Sequence, residues 1–195
     1  MILELGLALG AGAALWAYRR RRAAKAGVAP AAAPDGSPDD PAPKPMVRKP
    51  GLNLSDVILY VDTELWLAGC LHLDDGADVL RLFAAPGGKR ATHVAQLDRS
   101  GEDLAMLNPC ADVPAGRVPD ELQLGGARLR LRKRGRANVR AEGESLPDHR
   151  PQVDYVLLGD PSGRLLLVLD FVGGERLALL GERVPSGMLD LLPGG

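Results

Sequence analysis

The closest pair of metal-ligating or nucleophilic side chains in the sequence is Cys70 and His72, which a single leucine separates. In a β-strand alternate residues share a face, so these two side chains project to the same side. A zinc site needs three or four such ligands, and Cys110, His93 and His149 each stand alone in the sequence. The spacing predicts ordinary strand positions, with two reduced cysteines, no metal and no other cofactor.

The sequence also lacks the usual patterns of a catalytic nucleophile or a phosphate site. Ser162 lies in Pro161-Ser162-Gly163, which has neither the G-x-S-x-G pattern of a nucleophile elbow nor its strand-to-helix setting. The glycines come in turn pairs and do not form a G-x-x-x-x-G-K-[ST] loop. Asp74-Asp75 has no partner base nearby and is expected to be solvated surface charge. We therefore predict no catalytic residue and a protein that is not an enzyme.

A dense run of positive charge, Arg128-Leu-Arg-Leu-Arg-Lys-Arg134, is the strongest local feature. Strand alternation places its two leucines inward and its arginines outward. Such a stripe can bind anionic lipid headgroups, at about 1 kcal/mol per basic residue near the surface, or an acidic protein. The alternative is a solvated edge strand whose charges only prevent aggregation. The candidate binding residues are Arg128, Arg130, Arg132 and Arg134.

Nucleic acid is not an expected partner. The chain has a net charge of −1, so nothing attracts a polyanion globally. The arginine run also has no neighbouring aromatic residues on which single-stranded bases would stack.

An N-terminal apolar segment offers a way to hold the arginine stripe at a membrane. Met1–Tyr18 is almost wholly apolar, and as a helix it would rise about 27 Å, close to the hydrocarbon thickness of a bilayer. Arginines follow this segment, whereas a signal peptide carries its positive charge before the apolar run. We predict an uncleaved single-pass anchor with the rest of the chain in the cytoplasm; the alternative is a helix that lies flat on the membrane. The expected anchor residues are Leu3, Leu7, Leu9, Leu15, Trp16 and Tyr18, and the expected topology determinants are Arg19, Arg20, Arg21 and Arg22.

The small residues Gly6, Gly10 and Ala14 recur at four-residue spacing in this segment. The pattern favours close pairing of two helices, and hence a homo-oligomer, although small residues are common anywhere in an Ala-rich helix.

Residues 19–50 combine the basic stop with an Ala/Pro-rich flexible linker, and residues 51–195 form the folded part. With 46% apolar but only 4% aromatic residues, its core must consist of Leu, Val and Ala. Short β-type runs alternate with turn signals, which indicates an all-β barrel or sandwich. The predicted strands are Val57–Val61, Leu65–Leu73, Val79–Ala84, His93–Leu97, Leu129–Leu131, Asn138–Ala141, Val153–Leu158, Leu165–Val172, Arg176–Leu180 and Met188–Leu192.

The folded part carries a weak internal duplication, about 52–109 and 122–193. Each half follows the order strand, Pro-Gly turn, strand, Gly-Glu turn, strand, and Gly69 and Gly143 lie at comparable places upstream. We predict two similar β-meanders that pack on one another. In the second half, Leu165–Leu169 does not alternate, so we expect this strand in the core; the alternative is a strand whose outer face forms a protein–protein contact.

The second half resembles a family of bacterial domains of unknown function, the one catalogued under number 4178. The resemblance rests on Arg134–Gly143, Val153-Asp-Tyr155, Leu165–Leu169, Gly173-Gly-Glu175 and the closing Gly181–Val184 and Leu191-Leu-Pro193. It would extend over about Leu52 to Pro193. Members often carry one N-terminal membrane helix and resemble proteins encoded beside membrane-stress and polyamine-related genes. The resemblance implies no activity and no functional residue; it leaves an interaction or scaffolding module, or a barrel that senses a lipid or small anionic molecule.

Overall fold

The computed structural model describes residues 51–88 and 91–194. The predicted anchor, its arginines and the linker lie outside these residues. The described part is all-β, and no helix in it is long and apolar enough to cross a membrane. The strands are β1 (Val57–Tyr60), β2 (Thr63–Trp66), β3 (Gly69–Asp74), β4 (Val79–Ala84), β5 (His93–Gln96), β6 (Asp103–Pro109), β7 (Glu121–Leu124), β8 (Ala127–Gly143), β9 (Gln152–Gly159), β10 (Arg164–Phe171), β11 (Arg176–Pro185) and β12 (Asp190–Leu192), with one 3-10 turn (Ser186–Met188) before β12.

Eight of these strands close into a barrel in which all neighbours are antiparallel. They follow the order β3-β4-β5-β6-β11-β10-β9-β8, and β8 pairs back with β3. The closing register runs from Gly69 opposite Gly143 to Asp74 opposite Asn138. Closure leaves none of these eight strands at a sheet edge. Between the two architectures that the sequence left open, the described residues form the barrel.

The barrel consists of two four-stranded meanders, β3–β6 and β8–β11. Their first strands pair with each other, and so do their last strands, β6 and β11, from Pro109 opposite Leu179 to Asp103 opposite Pro185. The halves therefore join at their edges, while their apolar faces meet across the interior. The turns around Gly87 and Gly163, both with positive φ, lie at equivalent places in the two meanders.

Leucines fill the barrel interior, as the composition predicted. Strand β10 shows why its sequence does not alternate: Leu165, Leu167 and Leu169 point into the interior, whereas Leu166 and Val168 belong to a second apolar cluster outside the barrel wall. All five are buried. The prediction that this strand lies in the core is confirmed.

Two apolar clusters cover opposite sides of the barrel wall. On the β3–β6 side, a small sheet of order β12-β1-β2 places Ile58 and Leu65 against Phe83 and Met106. On the β8–β11 side, β7 and the first part of β8 cover the wall with Leu124. Both sides of the barrel are therefore buried under additional chain.

Two of the predicted strands divide the chain differently from the structure, the predicted Arg176–Leu180 stops five residues before the end of β11, and neither β6 nor β7 is among the predicted strands. Leu65–Leu73 was expected to be one strand, but the chain leaves the small sheet after Trp66 and enters the barrel at Gly69. The connecting residues Leu67 and Ala68 are both buried. Because they are apolar like the strands on either side, the sequence does not show the bend. The runs at 129–131 and 138–141 belong to one continuous strand, β8, although the charged residues between them show no alternation.

Candidate functional site

The arginine stripe lies on the hairpin formed by β7 and β8. Leu129 is fully buried and Leu131 partly buried, whereas Arg128, Arg130 and Arg132 are exposed. This is the separation that strand alternation predicted. We call these three arginines the arginine face.

A β-bulge separates Arg134 from this face. The pairing of β8 with β9 shifts register between Leu131 and Lys133, so Arg132 is the additional residue and the two sides of the strand exchange after it. Arg134 turns toward the outside of the wall, where its Nη1 lies 2.9 Å from the Asp120 carboxylate and its Nη2 donates to the Val118 carbonyl. The structure thus brings together three of the four predicted binding residues.

The arginine face is only partly neutralised. Arg128 forms an ion pair with Glu121 of β7, although its side chain remains 66% exposed. Arg132 Nη2 lies 3.4 Å from the Asp160 carbonyl, a long and weak contact. Arg130 has no ion pair within residues 51–88 and 91–194. The net charge of the face is therefore positive.

A fourth guanidinium group lies beside the hairpin turn. Arg164, at the start of β10, donates through Nη1 to the carbonyl of Gly125, at 2.9 Å, and that glycine belongs to the β7–β8 turn. Sequence reasoning missed this arginine because the contact spans 39 residues. No local pattern signals it.

A polar cluster lies where the β3–β4 turn meets strands β8 and β9. Lys133 Nζ is 2.8 Å from the carboxylates of both Asp75 and Asp78, and the Tyr155 hydroxyl donates a hydrogen bond to Asp75. Lys133 also lies over the Tyr155 ring, at 5.7 Å from its centroid. Gly135 faces that ring across the strand pair, and a Cβ there would lie 3.1 Å from it.

Asp75 differs from the expected solvated surface charge. Its side chain is only 13% exposed, whereas Asp74 is exposed as predicted. The hydrogen bonds from Lys133 and Tyr155 hold the pKa of Asp75 well below its usual range. Burial alone would lower the pKa of Lys133, but its bonds to Asp75 and Asp78 raise it above the ordinary value. With their pKa values shifted in these directions, neither Asp75 nor Lys133 exchanges a proton near neutral pH. The cluster therefore suits a structural role, holding the β3–β4 turn to strands β8 and β9, better than acid–base catalysis.

Two open cavities of about 380 Å³ lie at the surface of the domain. One includes Tyr60, Ser162, Arg164 and Glu182 in its lining, and the other lies beside Asp75 and Arg136. The Ser162 hydroxyl donates to the Asp160 carboxylate at 2.7 Å, and none of the described histidines lines its cavity. Ser162 thus lacks a histidine partner of the kind that activates a serine nucleophile.

The Cys70–His72 pair lies on the outward face of β3, and both cysteines are free thiols. Burial raises the pKa of the Cys70 thiol to about 12, while Cys110 is half-buried. In the portion of the chain that the structure covers, no three His, Cys, Asp or Glu side chains are grouped as metal ligands would be.

Comparisons of the chain with protein-family models, curated proteins and solved structures gave no match. The family resemblance therefore stays a prediction.

Proposed function

We propose that the domain is a non-catalytic interaction module whose arginine face binds the anionic surface of a membrane. The supporting observation is the placement of Arg128, Arg130 and Arg132, exposed together on one side of a hairpin where, among the residues that the structure describes, only the Glu121 carboxylate is paired to them. Guanidinium groups suit this role because they form bidentate hydrogen bonds with phosphate. In this proposal residues 1–18 anchor the chain and the domain lies in the cytoplasm.

The strength of such a contact explains why a tether would be needed. At about 1 kcal/mol for each basic residue, three or four arginines give an affinity in the millimolar range. A flexible linker of the length of residues 26–50 reaches on the order of 25–30 Å. It would keep the arginine face at a high effective concentration beside the lipid headgroups.

Binding at the surface is favoured over binding inside the barrel. The side chains of Leu71, Leu107, Leu165, Leu167 and Leu179 are buried together in the interior. They occupy the space that a ligand of a sensing barrel would need.

Vesicle flotation tests the proposal. The fragment 47–195 is used because it is the compact unit that contains all the described strands, and a cooperative thermal melt first establishes that it folds. At about 5–10 mM accessible lipid, which exceeds the millimolar dissociation constant expected without the tether, we expect part of it to float with vesicles that contain phosphatidylserine, to remain behind with phosphatidylcholine alone, and to be released by salt.

A matched pair of triple variants makes the test specific. One variant replaces Arg128, Arg130 and Arg132 with Gln. The control removes the same charge from exposed arginines elsewhere, namely Arg99, Arg140 and Arg150. Loss of flotation in the first variant alone supports the proposal; equal flotation of both variants, or no flotation of the parent, refutes it.

A further inference from the structure

The exposed apolar residues of the domain concentrate on the small sheet. Six large apolar side chains are exposed in the described part of the chain, and only Val172 lies away from this sheet and its adjoining turns. The other five are Val61, Trp66, Met188, Leu191 and Leu192. Two of them, Trp66 and Leu192, lie on the same side of the sheet with Val57 between them, and grouped apolar residues mark an interaction surface more often than single exposed leucines do.

The strand register shows which residues face outward. Ile58 and Leu65 are opposite each other and fully buried against the barrel, so their neighbours along the strands point away from it. Two cross-strand rows result. The first consists of Trp66, Val57 and Leu192, and the second consists of Glu64, Leu59 and Asp190.

We call these six residues the outer sheet face. In its first row, Trp66 is 48% exposed and Leu192 is 50% exposed. In its second row an exposed carboxylate lies on each side of Leu59. The face therefore combines an apolar centre with negative charge beside it.

The two segments of chain that form the small sheet carry only acidic charged residues. Residues 51–66 and 185–194 contain four acidic residues and neither lysine nor arginine. One of them, Asp56, is buried and accepts hydrogen bonds from the backbone of Asn53 and Gly194. The other three, Asp62, Glu64 and Asp190, are exposed.

We infer that the outer sheet face binds a protein segment in which apolar side chains stand next to lysines or arginines. An aromatic anchor such as Trp66 is typical of binding hot spots, and the carboxylates of Glu64 and Asp190 complement a cationic partner. Two copies of this face would bring like charges together, and an anionic membrane would be repelled. The small sheet covers the β3–β6 side of the barrel and the arginine face belongs to the β8–β11 side, so this site is separate from the proposed lipid contact.

Tryptophan fluorescence of the full chain provides the test. The chain has two tryptophans, Trp16 and Trp66, so Trp16→Phe leaves Trp66 as the only reporter. The probes are a synthetic peptide of alternating leucine and lysine and a matched peptide of alternating leucine and glutamate. We expect the Leu–Lys peptide to shift Trp66 emission to the blue in a saturable, salt-sensitive manner, and the Leu–Glu peptide to leave it unchanged.

A charge reversal then separates this site from unspecific attraction. Glu64→Lys with Asp190→Lys should weaken Leu–Lys binding about tenfold and create a response to the Leu–Glu peptide. The control, Glu102→Lys with Glu175→Lys, makes the same charge change at exposed turn positions and should bind like the parent. Any of four results would overturn the inference. The Leu–Lys peptide could cause no blue shift, both peptides could give the same response, or the control could bind as weakly as the charge-reversed variant. The fourth is a shift that depends only on protein concentration, which would report a second copy of the chain.

Discussion

The Tyr155 hydroxyl donates a hydrogen bond to the Asp75 carboxylate, although the two residues are 80 positions apart in the chain. Together with Lys133, this bond fastens the turn of the first meander to a strand of the second. We expect Asp75→Asn to lower the free energy of unfolding by about 1–3 kcal/mol at neutral pH, because hydrogen bonds to a charged group are lost. Urea unfolding measures the change, and Asp112→Asn, at an exposed position, should be nearly neutral.

The contribution of Asp75 should depend on pH with a definite sign. The folded-state pKa of Asp75 lies below its unfolded value, so its stabilising effect is complete above pH about 5 and declines as the pH falls further toward the folded pKa. We therefore expect the stability difference between the parent and Asp75→Asn to shrink between pH 5 and pH 2. A difference that stays constant over this range would contradict the assignment.

Strand β10 provides a matched pair of core variants. Leu166 and Leu167 are adjacent and fully buried, but they belong to clusters on opposite sides of the barrel wall. We expect Leu166→Ala and Leu167→Ala each to cost about 2–5 kcal/mol, and Leu192→Ala, at a half-exposed position, to cost much less. If only one of the two core variants is destabilised in thermal or urea unfolding, β10 is buried on one face only.

The seam between β6 and β11 should be intolerant of added atoms at Gly181. A Cβ at this position would overlap the backbone oxygen of Met106, whereas a Cβ at Gly187 has nothing within 4 Å. Gly181→Ala must therefore push the two strands apart, at a cost of about 1–3 kcal/mol. Gly187→Ala should change the midpoint of unfolding little, and equal effects of the two variants would contradict the close approach.

The two cysteines should differ in reactivity. Cys70 is buried and its pKa is raised to about 12, so almost none of it is thiolate at pH 8. Cys110 is half-buried. We expect a thiol reagent to modify Cys110 alone in the native protein and both cysteines in denaturant. Rapid modification of Cys70 without denaturant would show that the small sheet opens.

The sequence predicted regular elements well where alternation or turn chemistry was local. The predicted Val79–Ala84 is β4 itself, and Val153–Leu158 and Leu165–Val172 each differ from the observed strand by one residue at either end. Pro-Gly chemistry marked the turns around Gly87 and Gly163 correctly. These features depend on neighbours a few residues away, which a sequence displays directly.

What the sequence did not reveal depends on contacts between distant residues or on a change of register. The bulge at Arg132 turns Lys133 toward the barrel and Arg134 away from the arginine face, and a simple alternation cannot anticipate such an exchange. Asp75 looked like a solvated turn residue because its partners Lys133 and Tyr155 are far along the chain. Gly69 and Gly143 were noted as similar in position, but only the closed barrel shows that they face each other across its seam.

The contact between the Gly194 backbone N–H and the Asp56 carboxylate, at 3.0 Å, has a mechanical consequence. The start of β1 and the end of β12 lie side by side, because Val57 is opposite Leu192 in the antiparallel pair of these strands. A force that pulled the start of β1 away from the end of β12 would break the hydrogen bonds of this pair one after another. The three-residue strand β12 would detach first at low load. The pull on the N-terminal side would reach the barrel directly, because the Leu52 backbone is hydrogen-bonded to the side chains of Gln96 in β5 and Arg81 in β4.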